Sequence, residues 1–165
     1  MKTIYLTGFM GSGKTSVGRE LARLLETFVY DTDVLIEEQE NCTILELFVE
    51  KGEEYFRELE GKILKSLPTQ NGVVTTGGGI VINKSNRQWM KDNGTWVYLH
   101  CDPSVISKRL ESDESRPLLA GEKKNNLRKL FEIRLPIYME APIIVDTTSL
   151  SIEQAAKEIF TRINQ

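Results

Sequence analysis

The chain is poor in the residues that carry most metal and redox chemistry. Its 165 residues include two cysteines and a single histidine. Cys42 and Cys101 stand alone, without the spacing of a zinc or dithiol site. They are read as reduced packing residues of a cytoplasmic protein, not as a disulfide. A histidine-based catalytic triad could work only through His100, and its place at the end of a strand-like run makes it incidental to chemistry. No apolar run approaches the roughly 20 residues of a membrane span, so no membrane partner is expected. There is no basic excess: 21 Lys and Arg stand against 24 Asp and Glu, a net charge of −3. A general electrostatic field for nucleic acid is thereby excluded. Internal repeats, low-complexity tracts and long linkers are also missing. Met1-Lys2-Thr3 leads straight into a strand-like run, which leaves no room for a signal peptide.

What remains is an ordinary globular composition, 40% apolar and 27% charged, in a length that suits one domain over residues 1–165. Its most informative stretch is Gly-Phe-Met-Gly-Ser-Gly-Lys-Thr at residues 8–15, a complete phosphate-binding loop of the G-x-x-x-x-G-K-[ST] type. A chain of this length meets the four fixed positions by chance roughly once in 200. The context tightens the match. Ile4-Tyr5-Leu6 precedes it as a buried strand, and Val17, Leu21 and Leu24 follow at helical spacing. The glycines let the backbone turn its N–H groups inward around a phosphate, and the helix N-terminus adds partial positive charge. Lys14 can reach the β- and γ-phosphates of a nucleotide triphosphate, and the Thr15 hydroxyl can ligate Mg²⁺. The nucleotide-binding set in the loop is Gly11, Ser12, Gly13, Lys14, Thr15 and Ser16.

Strand-like and helix-like segments alternate. Candidate strands are Ile4–Thr7, Phe28–Tyr30, Val73–Thr76, Trp96–Leu99 and Ile143–Val145, short and rich in residues suited to burial on both faces. Thr43 with Glu46 spells a capping box, and Asp102-Pro103 an N-cap followed by proline. Phe56, Leu59, Ile63 and Leu67 form one apolar stripe, and Ile152, Ala156, Ile159 and Ile163 another facing the core. Five strands alternating with helices predict an α/β fold, a doubly wound parallel sheet with helices on both faces. Ligands in such folds bind beyond the carboxyl ends of the strands.

The residues just after the strands therefore carry the chemistry. Asp31-Thr32-Asp33 follows the second strand. One carboxylate can hold Mg²⁺ near Thr15 and the other can accept a proton from a substrate hydroxyl; alternatively, one of them caps a helix beginning at Val34. Gly77-Gly78-Gly79 follows the third strand, either as close backbone approach to a ligand or as a flexible turn. That strand ends without an acidic residue, which leaves Asp31 as the candidate for Mg²⁺. Four arginines are weighed in the same way. Arg57 is a site residue or a salt-bridge partner of Glu53, Glu54 or Glu60. Arg109 is a site residue or part of a solvated helix face. Arg116 opens Arg-Pro-Leu-Leu within the polar stretch Glu111–Asn126, which reads as a mobile lid. Arg134 precedes Pro136, which is expected to break its helix. A forked guanidinium suits a planar carboxylate.

Taken together, these residues resemble the shikimate kinases, small members of the nucleoside monophosphate kinase group. The resemblance runs nearly end to end: the phosphate loop, Asp-Thr-Asp at 31–33, Gly-Glu-Glu-Tyr-Phe-Arg-Glu-Leu-Glu at 52–60, Gly-Gly-Gly at 77–79, Arg-Pro-Leu-Leu at 116–119 and Arg-x-x-x-Tyr at 134–138. One departure is Leu25-Glu26-Thr27-Phe28, where the family usually has a helix-ending glycine. The resemblance implies a three-layer P-loop kinase fold with five parallel strands in the order 2-3-1-4-5, a lid near 111–126 and a substrate-binding region near 31–61. It implies ATP- and Mg²⁺-dependent phosphorylation of the shikimate 3-hydroxyl. Asp33 would bind the substrate hydroxyls and accept the proton. Arg57 and Arg134 would clamp the carboxylate, with Gly78 and Gly79 lining the pocket. Arg116 would contact the transferred phosphate, Arg109 would lie near adenine, and Asp31 with Thr15 would organise Mg²⁺. Another small-molecule kinase, such as a gluconate kinase, or a nucleotide-switch module are the competing readings. The protein is expected to be a cytoplasmic monomer.

Overall fold

A computed structural model describes residues 1–110 and 123–165. Five parallel strands form one sheet in the order β2-β3-β1-β4-β5. In chain order they are β1 (Thr3–Thr7), β2 (Phe28–Asp31), β3 (Gly72–Thr75), β4 (Gly94–His100) and β5 (Ile143–Asp146). The helices between them are α1 (Lys14–Leu24), α2 (Thr32–Glu40), α3 (Ile44–Ser66), α4 (Lys84–Asn93), α5 (Pro103–Leu110), α6 (Lys123–Tyr138) and α7 (Ile152–Ile163), with a 3-10 turn at Ile80–Ile82.

Strand periodicity sorts the core into two layers. Ile4 and Leu6 of β1, Val73 of β3, and Val97 and Leu99 of β4 pack with Val17 and Leu21 of α1 and Ala156 and Ile159 of α7. Their alternates Tyr5, Val74, Trp96 and Tyr98 pack on the other face with Met90 of α4 and Phe131 and Tyr138 of α6. Thr7, at the end of central β1, is buried and accepts from Trp96 Nε1 at 2.8 Å. A third cluster of Ile36, Leu47, Phe56 and Leu59 joins α2 to α3 beside the sheet. The capping box of Thr43 and Glu46 opens α3, and Gly52 interrupts it with φ 84°.

Three sequence expectations are corrected. β2 is not buried on both faces: it is an edge strand, and Phe28 and Val29 are 72% and 39% exposed. Pro136 does not break α6: the helix runs on to Tyr138, and Met139 N donates to Leu135 O at 3.0 Å, so the proline forfeits its own bond without ending the helix there. Ile152 opens α7 in an exposed position, and only its helical partners Ala156 and Ile159 are fully buried. The departure at Glu26 has a structural answer. α1 ends with Glu26 in the left-handed region at φ 51°, Glu26 N donating to Arg23 O and Thr27 N to Ala22 O. This is the Schellman pattern, made without glycine. Both cysteines are free. No helix among the described residues is long and apolar enough to cross a membrane.

Candidate active site

β1 delivers the chain to the phosphate loop and α1 carries it away. Gly11 and Gly13 have φ 75° and 90°, values that a side chain would strain. Ser12 N donates to Phe9 O at 3.1 Å, which closes the turn, and the buried Phe9 ring meets Phe131 edge-on at 5.5 Å. Gly13 caps α1 without a side chain, so the first N–H groups of the helix border the loop hollow. Lys14 Nζ donates to the carbonyls of Gly8 at 2.7 Å and Phe9 at 3.0 Å. Thr15 and Ser16 lie exposed on the first turn.

The loop borders a cavity of about 980 Å³. Arg109 lines it from α5 and reaches back to donate from Nη1 to Gly11 O at 3.0 Å. Opposite, Thr147, Leu150 and Ser151 line it from the segment after β5. That segment is held by Asp146, whose Oδ1 accepts from Thr148 N and Thr148 Oγ1; the latter bond first of all holds its pKa below the usual carboxylate value.

Asp31 is the helix cap of the pair, and its second oxygen faces the Thr15 hydroxyl. Oδ1 accepts from Asp33 N at 3.0 Å and Val34 N at 3.1 Å, capping α2, which begins at Thr32. Oδ2 accepts from Thr15 Oγ1 at 3.2 Å and Thr75 Oγ1 at 3.1 Å. A carboxylate oxygen and two hydroxyls are hard donors of the kind Mg²⁺ takes. Among the described residues no three His, Cys, Asp or Glu side chains converge as a metal cluster.

Beside this cavity lies a smaller one of about 100 Å³, where the remaining candidates meet. Asp33, Arg57, Gly78, Gly79 and Arg134 all line it. They come from α2, α3, the segment after β3, and α6. A Cβ on Gly79 would fall on the Arg57 guanidinium, so the side chain lies directly against that backbone. Arg57 is fixed by Glu60 Oε1 at 2.7 Å and, more loosely, Glu53 Oε1 at 3.4 Å. The salt-bridge reading of Arg57 is therefore correct and compatible with a site role. Arg134 is 5% exposed and sits 5.9 Å from the Phe9 ring centroid. Its Nε has no hydrogen-bond partner among the described residues. Its Nη1 is 3.5 Å from where a Gly78 Cβ would stand.

Glu60 lines the pocket as well, and Tyr138 supports its glycine backbone from behind. Glu60 is 1% exposed, and burial raises its pKa to about 7 against the pull of Arg57. A Cβ on Gly77 would be 2.7 Å from Asp33 Oδ1 and 2.9 Å from Glu60 Oε2, so the two carboxylates flank that glycine. Tyr138 donates its hydroxyl to Gly78 O, and burial pushes the phenol up to about 12, which keeps it a donor. Two carboxylates face two guanidiniums over an apolar floor of Met10, Ile44, Phe48 and Phe56. Such a pocket suits a small molecule bearing one carboxylate and several hydroxyls.

The sequence weighed Gly77 only as part of the triple glycine, and did not single out Glu60 or the apolar lining as pocket residues. Glu60 was visible as the end of the 52–60 motif and as an i,i+3 partner of Arg57, next to Leu59 of the buried stripe, without a pocket role. His100 is not among the residues lining either cavity; its Nδ1 is 3.0 Å from Tyr98 OH. Arg116 and residues 111–122 of the lid expected near 111–126 lie outside the described residues; residues 123–126 open α6.

Comparison with known proteins is consistent with this geometry. The shikimate kinase family model matches residues 10–164. A shikimate kinase of Bacillus cereus (strain G9842) is 48% identical over 164 residues, covering 99% of each chain. The solved structure of shikimate kinase from Acinetobacter baumannii in complex with shikimate superposes with a TM-score of 0.95 at 37% identity, covering 99% of this chain and 93% of that one. A gluconokinase from Sinorhizobium meliloti, at 18% identity and TM-score 0.59 over 98% of this chain and 93% of its own, shares the fold alone.

Proposed function

The chain belongs to the shikimate kinase family, and we propose that it transfers the γ-phosphoryl group of ATP to the 3-hydroxyl of shikimate. The observation that carries this reading is the convergence of Arg57 and Arg134 on the Gly78–Gly79 backbone, with Asp33 beside them and the phosphate loop next door. The two arginines bind the substrate carboxylate, and the apolar floor packs under its ring. That placement turns a hydroxyl toward Asp33 and away from the clamp.

In the reaction the attacking oxygen forms a bond to the γ-phosphorus as the bond to the ADP oxygen breaks. Asp33 orients the hydroxyl and takes its proton. Lys14, which lines the cavity beside the loop, stabilises charge on the β- and γ-oxygens. Gly11, Ser12, Gly13 and Ser16 hold phosphates through the loop and first helical turn, and Arg109 lies on the adenine side. Arg116 is assigned the transferred phosphate by its motif. Thr15 and Asp31 are the residues that would hold Mg²⁺, which, when bound, neutralises phosphate charge. The protein's own contribution is chiefly position: two ligands are held with their reacting atoms adjacent. The enzyme is read as a cytoplasmic monomer that engages neither nucleic acid nor membrane.

The test is ADP release with ATP and Mg²⁺, with shikimate, gluconate or nucleoside monophosphates as acceptors. Stimulation by shikimate alone is the expected result. Stimulation only by another acceptor would overturn the carboxylate clamp, and none by any acceptor would favour a nucleotide switch.

A further inference from the structure

We propose that Asn86 and Arg87, which line neither cavity, are positioning residues that set the spacing between the two halves of the carboxylate clamp. The proposal rests on the acceptor assignment made above.

The triple glycine runs directly into the 3-10 turn at Ile80–Ile82. Ile80 N donates to Gly77 O and Ile82 N to Gly79 O, so the turn and the glycines form one rigid backbone unit. A turn this short leaves its own carbonyls without partners inside it. All three are taken by the first turns of α4. Asn86 Nδ2 donates to Ile80 O at 3.0 Å, and Arg87 Nη1 donates to Val81 O at 2.7 Å and Ile82 O at 3.2 Å. Asn86 is 2% exposed, and a Cβ on Gly61 would stand 3.2 Å from its Oδ1. Asn86 therefore also abuts α3 immediately after Glu60, the partner of Arg57.

The same arginine reaches the other half. Arg87 Nε pairs with Glu140 Oε2 at 2.8 Å. Glu140 N donates to Ile137 O, which places Glu140 in the turn that closes α6, two residues beyond Tyr138 and six beyond Arg134. One planar guanidinium thus spans from the backbone unit that seats Arg57 to the helix end that carries Arg134. A lysine, with a single point charge, could not make both sets of contacts in fixed directions. If the span is lost, the guanidiniums of Arg57 and Arg134 shift relative to each other, and the cost falls on the ligand both must grip.

The experiment compares wild type, Arg87→Ala, Glu140→Gln and the double variant, varying ATP and shikimate separately and recording thermal melting alongside. The expected result is a rise in shikimate KM, about tenfold for Arg87→Ala and about threefold for Glu140→Gln, with ATP KM unchanged. The double variant should bind shikimate no worse than Arg87→Ala alone, because both remove one span. A purely structural role would lower the melting temperature and leave the ratio of the two KM values alone, and that result overturns the proposal. So does a parallel rise in both KM values. If Arg87→Ala fails to fold, Glu140→Gln decides alone, since its side chain is 42% exposed and its replacement keeps the shape. Wild-type enzyme indifferent to shikimate would instead sink the acceptor assignment, a result distinct from active wild type with unaltered variants.

Discussion

The nucleotide side and the acceptor side of this site are built by opposite means. The phosphate loop is eight consecutive residues whose function resides in the backbone: two left-handed glycines, a helix N-terminus and one lysine folded against its own loop. The acceptor pocket is assembled from side chains on α2, α3 and α6 around a strip of glycines, and no two of its charged groups lie within two residues of each other in sequence. A backbone site depends little on its neighbours. A side-chain site depends on the positions of every element that contributes to it, so perturbations should spread further there.

The comparison is tested most severely at Lys14. Lys14→Met should lower kcat on the order of 10²–10³-fold while the fold survives, since it removes charge stabilisation from the transferring group; near-normal turnover would take Lys14 out of the mechanism. Next, Arg57→Ala should raise shikimate KM roughly 10²-fold, because a half-buried charge is lost and the buried Glu60 is left without its partner. ATP KM should stay put, and an equal rise in both would show that the two sides are not separable. Gly79→Ala comes third. Its φ of −95° tolerates a side chain, but the new methyl displaces the Arg57 guanidinium. About a tenfold rise in shikimate KM is expected from that displacement alone.

Glu60 sharpens the contrast through pH. Its folded pKa of about 7 lies above the ordinary 4.5, so between those values the folded protein holds a proton that the unfolded chain has released. This group's contribution to stability is therefore full below about pH 4.5 and is lost as pH rises toward 7. Glu60→Gln should flatten that part of the profile in urea titrations at pH 5 and pH 7.5; an unchanged slope would assign the decline elsewhere. The smallest effect is expected far from both sides. Glu26→Gly should stabilise the protein by about 0.5–1 kcal/mol by relieving a left-handed side-chain residue, without altering either KM.

The same contrast governs what the sequence could disclose. The loop was legible because an octapeptide between an apolar run and a helical pattern contains its whole geometry. Strand alternation with helices likewise exposed the parallel sheet, and the resemblance carried its strand order. What escaped depended on tertiary placement. Phe28 and Val29 have strand chemistry wherever they lie, and only the strand order puts them at an edge. Glu60 has the same local sequence whether it faces water or Asp33. Pro136 reads as a helix breaker wherever it falls, and only the structure shows α6 running on past it to Tyr138. Asn86 and Arg87 look like an ordinary polar helix start until the carbonyls of residues 80–82 are placed beside them.

Glu26 has a second consequence, drawn from its place beside β2. That strand offers one side of its backbone to β3 and the other outward, beneath the exposed Phe28 and Val29. Such a margin is a template on which a second chain can zip. Here it is only four residues long and is bracketed by acids, Glu26 before it and Asp31 at its end. Short length and flanking charge are the gatekeepers that keep a sticky segment soluble. The strained residue that ends α1 thus keeps a negative charge where glycine would leave none, and the conformational cost at Glu26 is traded for colloidal protection.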